Sequence, residues 1–233
     1  MGIHRLYFPL LEGLATVAGD RVEVEGDEAK HLTVRRARPG EAVELLDGRG
    51  RRAAGVIAEI AKRGPVIVEV QEVAALEPIA PRVEIFAPTP KGDRLTQMLD
   101  QLSQLGAAAW TPLITEHTEL PTKPLNRDRL ARVCIEAMKQ CGRLHLLEIG
   151  EPVEFADTLA EPVITRIAHP GDTGAALPQT DRLFVLIGPE GGFSDTEVAA
   201  ARDAGIQPIS LGPHICRIET AAVAAASQAC TRR

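Results

Sequence analysis

Residues 183–197, LFVLIGPEGGFSDTE, carry the clearest structural pattern in the chain. It begins with a continuous apolar run, 183–187, of the kind that a strand buried on both faces requires. A glycine-rich turn follows at 188–192, and Ser194 with Glu197 then forms the capping-box pattern that opens a helix. A strand, a tight turn and a helix in this order predict one βα unit of a parallel sheet.

The same alternation of strand and helix patterns extends over the second part of the chain. Apolar runs predict strands, and apolar residues at helical spacing, such as Leu95, Met98, Leu99 and Leu102, predict helices between them. We therefore predict an α/β domain over residues 73–233, with a mainly parallel sheet covered by helices on both faces. Further strands are expected at 83–87, 109–114, 146–149, 163–168 and 208–211, and helices at 95–105, 126–142, 194–205 and 220–230.

Residues 1–72 have a different pattern, with short runs rich in Val, Ile and Leu. Alternation of apolar and polar residues, as in 21–25, indicates strands with one buried face. Asp47-Gly48-Arg49-Gly50 is a turn signal that predicts a hairpin between two of these strands. We predict a small β-rich domain, a barrel, with one short helix at 27–36. Two prolines at 78 and 81 mark a linker to the second domain.

Composition excludes several classes of protein. The 233 residues are 45% hydrophobic and 25% charged, which is typical of a globular protein and not of a disordered chain. The longest apolar stretches are too short to cross a membrane, and the N-terminus lacks the pattern of a signal peptide, so we expect a cytoplasmic protein. The four cysteines form no CxxC pair and the histidines have no ligand spacing, so no metal site is expected.

Three predicted strands end in unusual loops. In parallel sheets ligands bind beyond the carboxyl ends of the strands, which here lead into 169–171, 188–193 and 212–220. The glycines of the second loop allow close approach of the backbone to a ligand, although they could also form only a tight turn. No phosphate-binding P-loop or GxGxxG motif is present, so an uncharged adenosine fits better than a triphosphate.

Polar residues precede the alanine-rich last helix. Arg217, Glu219 and Thr220 could simply cap that helix, or Arg217 could direct a fixed cation at a ligand while Glu219 orients it. Two arginine clusters lie in the first domain, where they could be a solvated face or contact phosphates. They comprise Arg35, Arg36 and Arg38, and then Arg49, Arg51 and Arg52. The net charge of −6 does not by itself favour a nucleic-acid partner.

Two C-terminal motifs carry a resemblance to a known family. Residues 188–194 (GPEGGFS) with Glu197, followed by Leu211-Gly212 and 215–221 (ICRIETA), closely resemble the paired motifs of the ribosomal RNA small-subunit methyltransferase E family. Weaker agreement extends along the chain at His31-Leu32, Val34-Arg35 and Gly40, at 91–94 (KGDR), and at Glu136-Ala137, Gln140 and Arg143. The family usually has Leu at the place of Cys216.

The resemblance implies a fold, a cofactor and a reaction. Members of this family are SPOUT methyltransferases with an N-terminal PUA-like β-barrel and a C-terminal α/β domain that contains a deep trefoil knot. They are homodimers that use S-adenosylmethionine to methylate uridine N3 in small-subunit ribosomal RNA. The implied cofactor-binding residues are His169, Pro170, Gly188, Pro189, Glu190, Gly191, Gly192, Leu211, Gly212, Ile215, Arg217 and Thr220.

Arg217 and Glu219 are the expected catalytic residues. Attack by uridine N3 requires loss of its proton, so a cation that stabilises charge on the uracil oxygens, and a group that accepts the proton or holds the cation, are needed. The arginine clusters of residues 1–72, with Lys91, Arg94 and Arg143, are the expected contacts to RNA phosphates. The resemblance implies that this RNA is ribosomal RNA, free or in an assembled small subunit.

Two alternatives remain open from the sequence. One is a methyltransferase of the same fold that acts on another RNA, for instance at a tRNA ribose 2′-OH. The other is a non-catalytic RNA-binding factor that retains an unused pocket.

Overall fold

The computed structural model describes residues 3–9, 19–61, 64–119, 124–161, 163–169, 178 and 180–230. The chain divides into two compact units. The first comprises Met1–Pro78 together with Met138–Leu146, and the second comprises Ile79–Ala137 together with Leu147–Arg233.

The first unit is a five-stranded sheet with one helix. Its order is β1-β3-β4-β5-β2, and all neighbours are antiparallel except the parallel pair β1 and β3. Alternation is clear in β2, where Val22 and Val24 are buried and Arg21 and Glu23 are exposed. The elements are β1 (His4–Tyr7), β2 (Arg21–Val24), α1 (Gly26–Val34), β3 (Ala42–Leu46), β4 (Arg51–Ile60) and β5 (Val66–Ala75).

This sheet forms an open path among the described strands, with β1 at one edge and β2 at the other. Irregularities in β4 at Ala54/Gly55 and at Ile57/Glu59 bend the long β4–β5 ribbon. Gly55 is required at the first bend, because a Cβ atom there would lie 2.2 Å from the carbonyl oxygen of Glu69. The predicted hairpin between β3 and β4 is confirmed, whereas the closure of a barrel stays a prediction.

Residues 138–146 pack within the first unit. Lys139 is buried, with 6% of its side chain exposed, and its ammonium donates to Glu28 Oε1 on α1 at 2.9 Å. The Arg5 guanidinium donates to the carbonyl oxygens of Lys139 and Gln140, both at 3.2 Å. A buried charge of this kind is tolerated because it is paired and hydrogen-bonded.

The second unit is a seven-stranded sheet in which every strand pair is parallel. The order is β12-β10-β11-β6-β7-β8, and β9 pairs with β7 off this path. The predicted α/β class with a parallel sheet is therefore confirmed. The elements are β6 (Arg82–Ala87), α2 (Arg94–Leu105), β7 (Ala109–Ile114), α3 (Arg127–Cys141, which belongs to the first unit from Met138 onward), β8 (Glu148–Ile149), β9 (Val153–Glu154), α4 (Phe155–Thr158), β10 (Ile164–Ala168), β11 (Arg182–Leu186), α5 (Asp195–Asp203), β12 (Gln207–Ile209) and α6 (Ile218–Cys230).

The last helix, α6, packs inside its own chain. Its alanines Ala221, Ala222, Ala225, Ala226 and Ala229 are buried, and its contacts are with α2 and β6. Small side chains permit this close packing between two helices and a strand. These alanines therefore pack within the protomer, whereas Val223 and Ala224 of the same helix stay partly exposed and Gln228 is exposed.

Two further expectations concern a membrane-spanning helix and a knot. Over the residues that the structure describes, no helix has both the length and the apolar character needed to cross a bilayer. The deep trefoil knot that the resemblance implies stays a prediction.

Candidate functional site

A cavity of about 300 Å³ lies in the second unit at the carboxyl ends of β10 and β11. Its size is at the lower end of the range for small-molecule sites. The predicted residues that line it are His169, Gly188, Pro189, Glu190, Gly191, Gly192, Leu211, Gly212 and Ile215. Residues from three separate loops therefore meet at one place, as expected at the carboxyl ends of parallel strands.

Backbone hydrogen bonds continue past the ends of the strands into this cavity. The His169 N–H donates to the Ile209 carbonyl at 3.2 Å, which prolongs the β10–β12 pairing, and the Ile187 N–H donates to the Phe86 carbonyl at 2.8 Å. The positions of the residues that follow each strand are thus set by the sheet itself. A site on rigid elements holds its geometry better than one on free loops.

The glycine-rich loop is a tight turn. The Gly192 N–H donates to the Pro189 carbonyl at 2.9 Å, and Gly192 itself has a φ of +72°, which favours glycine. A Cβ atom on Gly188 would lie 3.1 Å from the ring of Phe193. That ring packs against Phe155 with centroids 5.4 Å apart, which ties the turn to the core of the unit.

The capping box at the start of α5 is confirmed. The Ser194 N–H donates to Glu197 Oε2 at 2.9 Å, and the Glu197 N–H donates to Ser194 Oγ at 3.3 Å. The second oxygen of the same carboxylate, Oε1, accepts the N–H of Glu116 at 2.9 Å. Glu197 therefore joins the glycine-rich loop to the segment that follows β7.

The segment 115–119 supports the loop, a role that no sequence pattern indicated. His117 Nδ1 lies 3.2 Å from the Gly192 carbonyl oxygen, to which it can donate a hydrogen bond. A Cβ atom on Gly191 would lie 3.3 Å from the His117 Cβ atom. These partners are separated by 75 residues in the chain, so only the fold could place them together.

Other lining residues were not named individually in the prediction, although Phe193, His214 and Cys216 lie within the predicted ligand loops. Ala168 and Ile187 lie at the ends of the strands themselves, so the expectation that ligands bind beyond strand ends could have included them. Phe193, His214, Cys216 and Ala221 complete the lining. Among the described residues, no group of three or more His, Cys, Asp or Glu side chains is arranged to hold a metal ion.

Not every predicted cofactor residue lines the cavity. Arg217 and Thr220 are exposed beside it, and Pro170 lies outside the described residues. Arg217 immediately precedes α6, and its carbonyl accepts the N–H of Ala221 at 2.8 Å. In the part of the chain that the structure describes, no side-chain partner holds the Arg217 guanidinium, so it is available to a ligand.

Glu219 is paired differently from the expectation. Its Oε1 atom lies 3.8 Å from Arg94 Nη1 at the start of α2, whereas the sequence suggested that it orients Arg217. Only 16% of the Glu219 side chain is exposed, and its buried Oε2 atom accepts no hydrogen bond from the described residues. A buried carboxylate oxygen without a donor is costly, so a ligand N–H at this point would be favourable.

Lys91 lies near the rim of the same site. Its ammonium donates to Glu119 Oε2 at 2.5 Å. That hydrogen bond and the charge of Glu119 raise the pKa of Lys91, and the charge of Glu190 contributes further in the same direction. Conversely, Lys91 lowers the pKa of the Glu119 carboxyl. Because both side chains are largely exposed, the pair contributes little to stability.

The expected RNA-binding residues of the first unit differ in their pairing. Arg35, Arg36 and Arg38 are exposed. Arg52 is ion-paired with Glu44 at 3.2 Å and with Glu72 at 3.4 Å. The hairpin that carries Arg49 and Arg51 is fixed by Asp47 Oδ1, which accepts both of their backbone N–H groups. Arg143 also belongs to the first unit.

The cavity has properties that suit the predicted cofactor. Its walls combine apolar side chains, such as Leu211 and Ile215, with backbone groups that stay accessible because glycines have no side chain to cover them. Adenosine and a methionine side chain need apolar surface and a few backbone donors and acceptors, not a cluster of cations. A side chain at Gly191 would meet His117, with Cβ atoms 3.3 Å apart, so glycine permits the close approach of this loop to residue 117.

Comparison with known proteins identifies both units. Residues 77–229 match the RNA methyltransferase domain family, and residues 24–71 match the RNA methyltransferase PUA domain family. The ribosomal RNA small subunit methyltransferase E of Synechocystis sp. is 30% identical over 207 residues, covering 84% of this chain and 67% of that protein. The Mycobacterium bovis protein of the same name is 30% identical over 220 residues, covering 87% and 83%.

Solved structures agree with these relatives. The crystal structure of a ribosomal RNA small subunit methyltransferase E from Neisseria gonorrhoeae bound to S-adenosyl methionine has a TM-score of 0.84 at 25% identity, covering 97% of this chain and 96% of that chain. A Legionella pneumophila protein solved with bound SAM has a TM-score of 0.79 at 29% identity, with the same coverage.

The fold, the cavity and these matches define an RNA methyltransferase domain joined to a PUA domain. More closely, the chain belongs to the ribosomal RNA small subunit methyltransferase E family, as its sequence motifs predict. S-adenosylmethionine is the cofactor of this family, which confirms the prediction of the cofactor.

Proposed function

We propose that this protein transfers a methyl group from S-adenosylmethionine to N3 of a uridine in small-subunit ribosomal RNA. The observation that carries the proposal is the cavity at the ends of β10 and β11, lined by the family's glycine-rich motif and bordered by Arg217 and Glu219. Relatives named for ribosomal RNA small subunit methylation support the substrate class.

The glycine-rich loop and the loop after β12 would hold the cofactor. Gly188, Gly191 and Gly212 keep the backbone accessible, while Leu211 and Ile215 supply apolar surface. When bound, S-adenosylmethionine supplies an electrophilic methyl group that N3 takes up in a direct displacement. The task of the protein is therefore to position the acceptor in line and to manage its proton.

Arg217 acts on the charge that develops in the uracil ring. Loss of the N3 proton places negative charge on the two neighbouring carbonyl oxygens, and a guanidinium is suited to two planar hydrogen bonds. The Arg217 side chain is exposed beside the cavity and free of partners among the described residues. It can therefore reach a substrate without breaking an existing contact.

Glu219 receives the N–H side of the substrate. Its Oε2 atom is buried and has no donor among the described residues, while Arg94 compensates the charge at Oε1. A carboxylate held in this way can accept the N3–H as a hydrogen bond and then as a proton. Because N3 lies on the Watson–Crick edge, the uridine must be unpaired or flipped out.

The remaining parts of the proposal concern RNA contacts, assembly and location. Exposed arginines of the first unit, with Lys91 and Arg143, contact phosphates of ribosomal RNA or of the assembled subunit. The protein acts in the cytoplasm as a homodimer. A monomeric mass in light scattering would exclude the homodimer.

Incorporation of labelled methyl groups tests the proposal. Purified protein, S-adenosylmethionine with a labelled methyl group, and RNA from cells that lack this protein are combined in separate reactions with small-subunit RNA, assembled small subunits and tRNA. Label in the small-subunit RNA is expected. Label in tRNA alone would favour the other RNA substrate, and cofactor binding that calorimetry fails to detect would favour a non-catalytic RNA-binding factor.

A further inference from the structure

Glu197 uses both oxygens of its carboxylate, and the two oxygens serve different parts of the second unit. Oε2 accepts the N–H of Ser194 at 2.9 Å and closes the capping box of α5. Oε1 accepts the N–H of Glu116, in the segment 115–119, also at 2.9 Å. A capping box requires only the first of these bonds. The second bond joins residues 81 positions apart and is not explained by the start of the helix.

His117, the next residue of that segment, contacts the glycine-rich loop itself. Its Nδ1 atom lies 3.2 Å from the carbonyl oxygen of Gly192. Because a carbonyl oxygen only accepts hydrogen bonds, Nδ1 carries the hydrogen and donates it. The Cβ atom of His117 also lies 3.3 Å from where a Cβ atom on Gly191 would be. Among the residues that the structure describes, His117 is the one side chain that hydrogen-bonds the loop 188–192.

A loop rich in glycine binds a ligand tightly only if its shape is set in advance. Gly188, Gly191 and Gly192 leave the backbone of the cavity wall accessible, but glycine loses more conformational freedom on ordering than any other residue. That loss lowers the affinity for a ligand unless the loop already has its bound shape. Inside the loop, the Gly192 N–H donates to the Pro189 carbonyl at 2.9 Å. The segment 115–119 adds a restraint from outside the loop.

We propose that His117 and Glu197 are positioning residues for S-adenosylmethionine, which hold the glycine-rich loop in the shape that binds the cofactor. His117 fixes the Gly192 carbonyl, and Glu197 fixes the segment that carries His117. Neither side chain lines the cavity, so both act through the loop and not by contact with the cofactor. The inference rests on the proposed function in one respect, namely that S-adenosylmethionine occupies this cavity.

Two features favour positioning of the loop over a contribution to the fold as a whole. Glu116 and His117 are both exposed, so their contacts bury little apolar surface and contribute little to the free energy of unfolding. The hydrogen bond from His117 also ends on a residue that lines the cavity, Gly192, and not in the core of the unit. Loss of these contacts should therefore change the cofactor affinity far more than the stability.

The variant Glu197→Gln in the full-length protein separates the roles of the two oxygens. Glutamine also occurs in capping boxes, but its one carbonyl oxygen can accept from Ser194 or from Glu116 and not from both. The capping bond, within one turn of helix, should be kept, so the segment 115–119 loses its anchor. Calorimetry should then show about fivefold weaker binding of S-adenosylmethionine. Asp195→Asn is the matched control, because it removes the same charge from the same turn, and Asp195 has no hydrogen-bond partner among the described residues.

Variants of His117 test the contact with the loop directly. His117→Ala should also weaken cofactor binding by about fivefold, and His117→Asn should restore most of the affinity, because its amide can donate from nearly the position of Nδ1. The urea midpoint of unfolding without cofactor should change little in either variant. In methylation assays, the KM for S-adenosylmethionine should rise, whereas the rate at saturating cofactor and RNA should fall less.

The outcomes separate this inference from the proposed function. If the unaltered protein binds S-adenosylmethionine and both Glu197→Gln and His117→Ala bind it equally well, the segment 115–119 does not position the loop, and the proposed methylation is unaffected. An equal loss in Asp195→Asn would assign the effect to charge at the start of α5, against the inference. Weaker binding only in variants that are partly unfolded without cofactor would indicate a structural role, again against it. Failure of the unaltered protein to bind the cofactor would overturn the proposed function together with this inference.

Discussion

Arg94 and Glu219 form an ion pair between the first turns of α2 and α6, with Arg94 Nη1 3.8 Å from Glu219 Oε1. The pair leaves Arg217 unengaged and fixes one oxygen of a largely buried carboxylate, while Oε2 stays open to the substrate. Arg94 therefore has a positioning role through Glu219 that the sequence, which suggested only a phosphate contact, did not indicate.

Replacing Arg94 tests this positioning role. In Arg94→Ala the largely buried Glu219 carboxylate loses its cation, which should lower the free energy of unfolding by about 1 kcal/mol. The methylation rate at saturating RNA and cofactor should also fall, and Arg94→Lys should restore part of it. Lys91→Ala is the control, because Lys91 pairs with Glu119. If Arg94→Ala weakens only the binding of RNA and leaves the methylation rate at saturating RNA normal, Arg94 is a phosphate contact and does not position Glu219.

Gly191 tests the assignment of the cavity to the cofactor. A valine there would press on His117, whose Cβ atom lies 3.3 Å from the position of the new Cβ atom, and would disturb the contact between His117 and the glycine-rich loop that lines the cavity. Gly191→Val should therefore weaken S-adenosylmethionine binding, measured by calorimetry, by about tenfold or more. Ala199→Val, on an exposed position of α5, serves as control. Unchanged affinity in a folded Gly191→Val protein would place the cofactor elsewhere.

Arg217 tests the mechanism. If its guanidinium stabilises charge on the uracil, Arg217→Ala should reduce the single-turnover rate at saturating RNA by about 100-fold or more. Arg217→Lys should recover little, because an ammonium lacks the planar pair of donors. Arg202→Ala, at an exposed position of α5, is the matched control. A normal rate for Arg217→Ala would remove this residue from the mechanism.

His145 predicts a pH dependence of stability. Burial, and then the charge of Arg143, lower the pKa of His145 from its usual value of 6.5. Because the unfolded chain then binds the proton more readily than the folded one, stability should fall as the pH drops below 6.5 and level off below the folded pKa. Urea unfolding at about pH 7.5 and about pH 5.5 should show a smaller loss for His145→Asn than for the unaltered protein. An equal loss in both proteins would show that other groups cause it.

Local patterns allowed much of the second unit to be predicted. The run 183–187, the glycine-rich turn and the Ser194–Glu197 capping box depend on neighbouring residues, and they appear in the structure with small shifts at the ends. The convergence of the strand ends follows from a general property of parallel sheets. Sequence patterns were therefore sufficient to predict most of the cavity lining.

Contacts between distant residues could not be predicted in this way. His117 and Gly192 are 75 residues apart, and the Arg94–Glu219 pair joins two helices that only the finished fold brings together. The two-residue strands β8 and β9 carry too little pattern of their own, and alternation along β1 to β5 does not reveal whether a sheet closes. The left-handed backbone conformation of Arg36, with a φ of +56°, could not be predicted either, because glycine is the residue that such a conformation favours.

The most direct test of the central claim is the identity of the methylated atom. Small-subunit ribosomal RNA from cells that lack this protein is incubated with the purified protein and isotopically labelled S-adenosylmethionine, digested to nucleosides, and analysed by mass spectrometry against synthetic standards. The account predicts labelled N3-methyluridine, and its loss in Arg217→Ala. Label in a 2′-O-methylated nucleoside or in another base would contradict it. So would the absence of any label in the RNA when the same protein preparation binds S-adenosylmethionine.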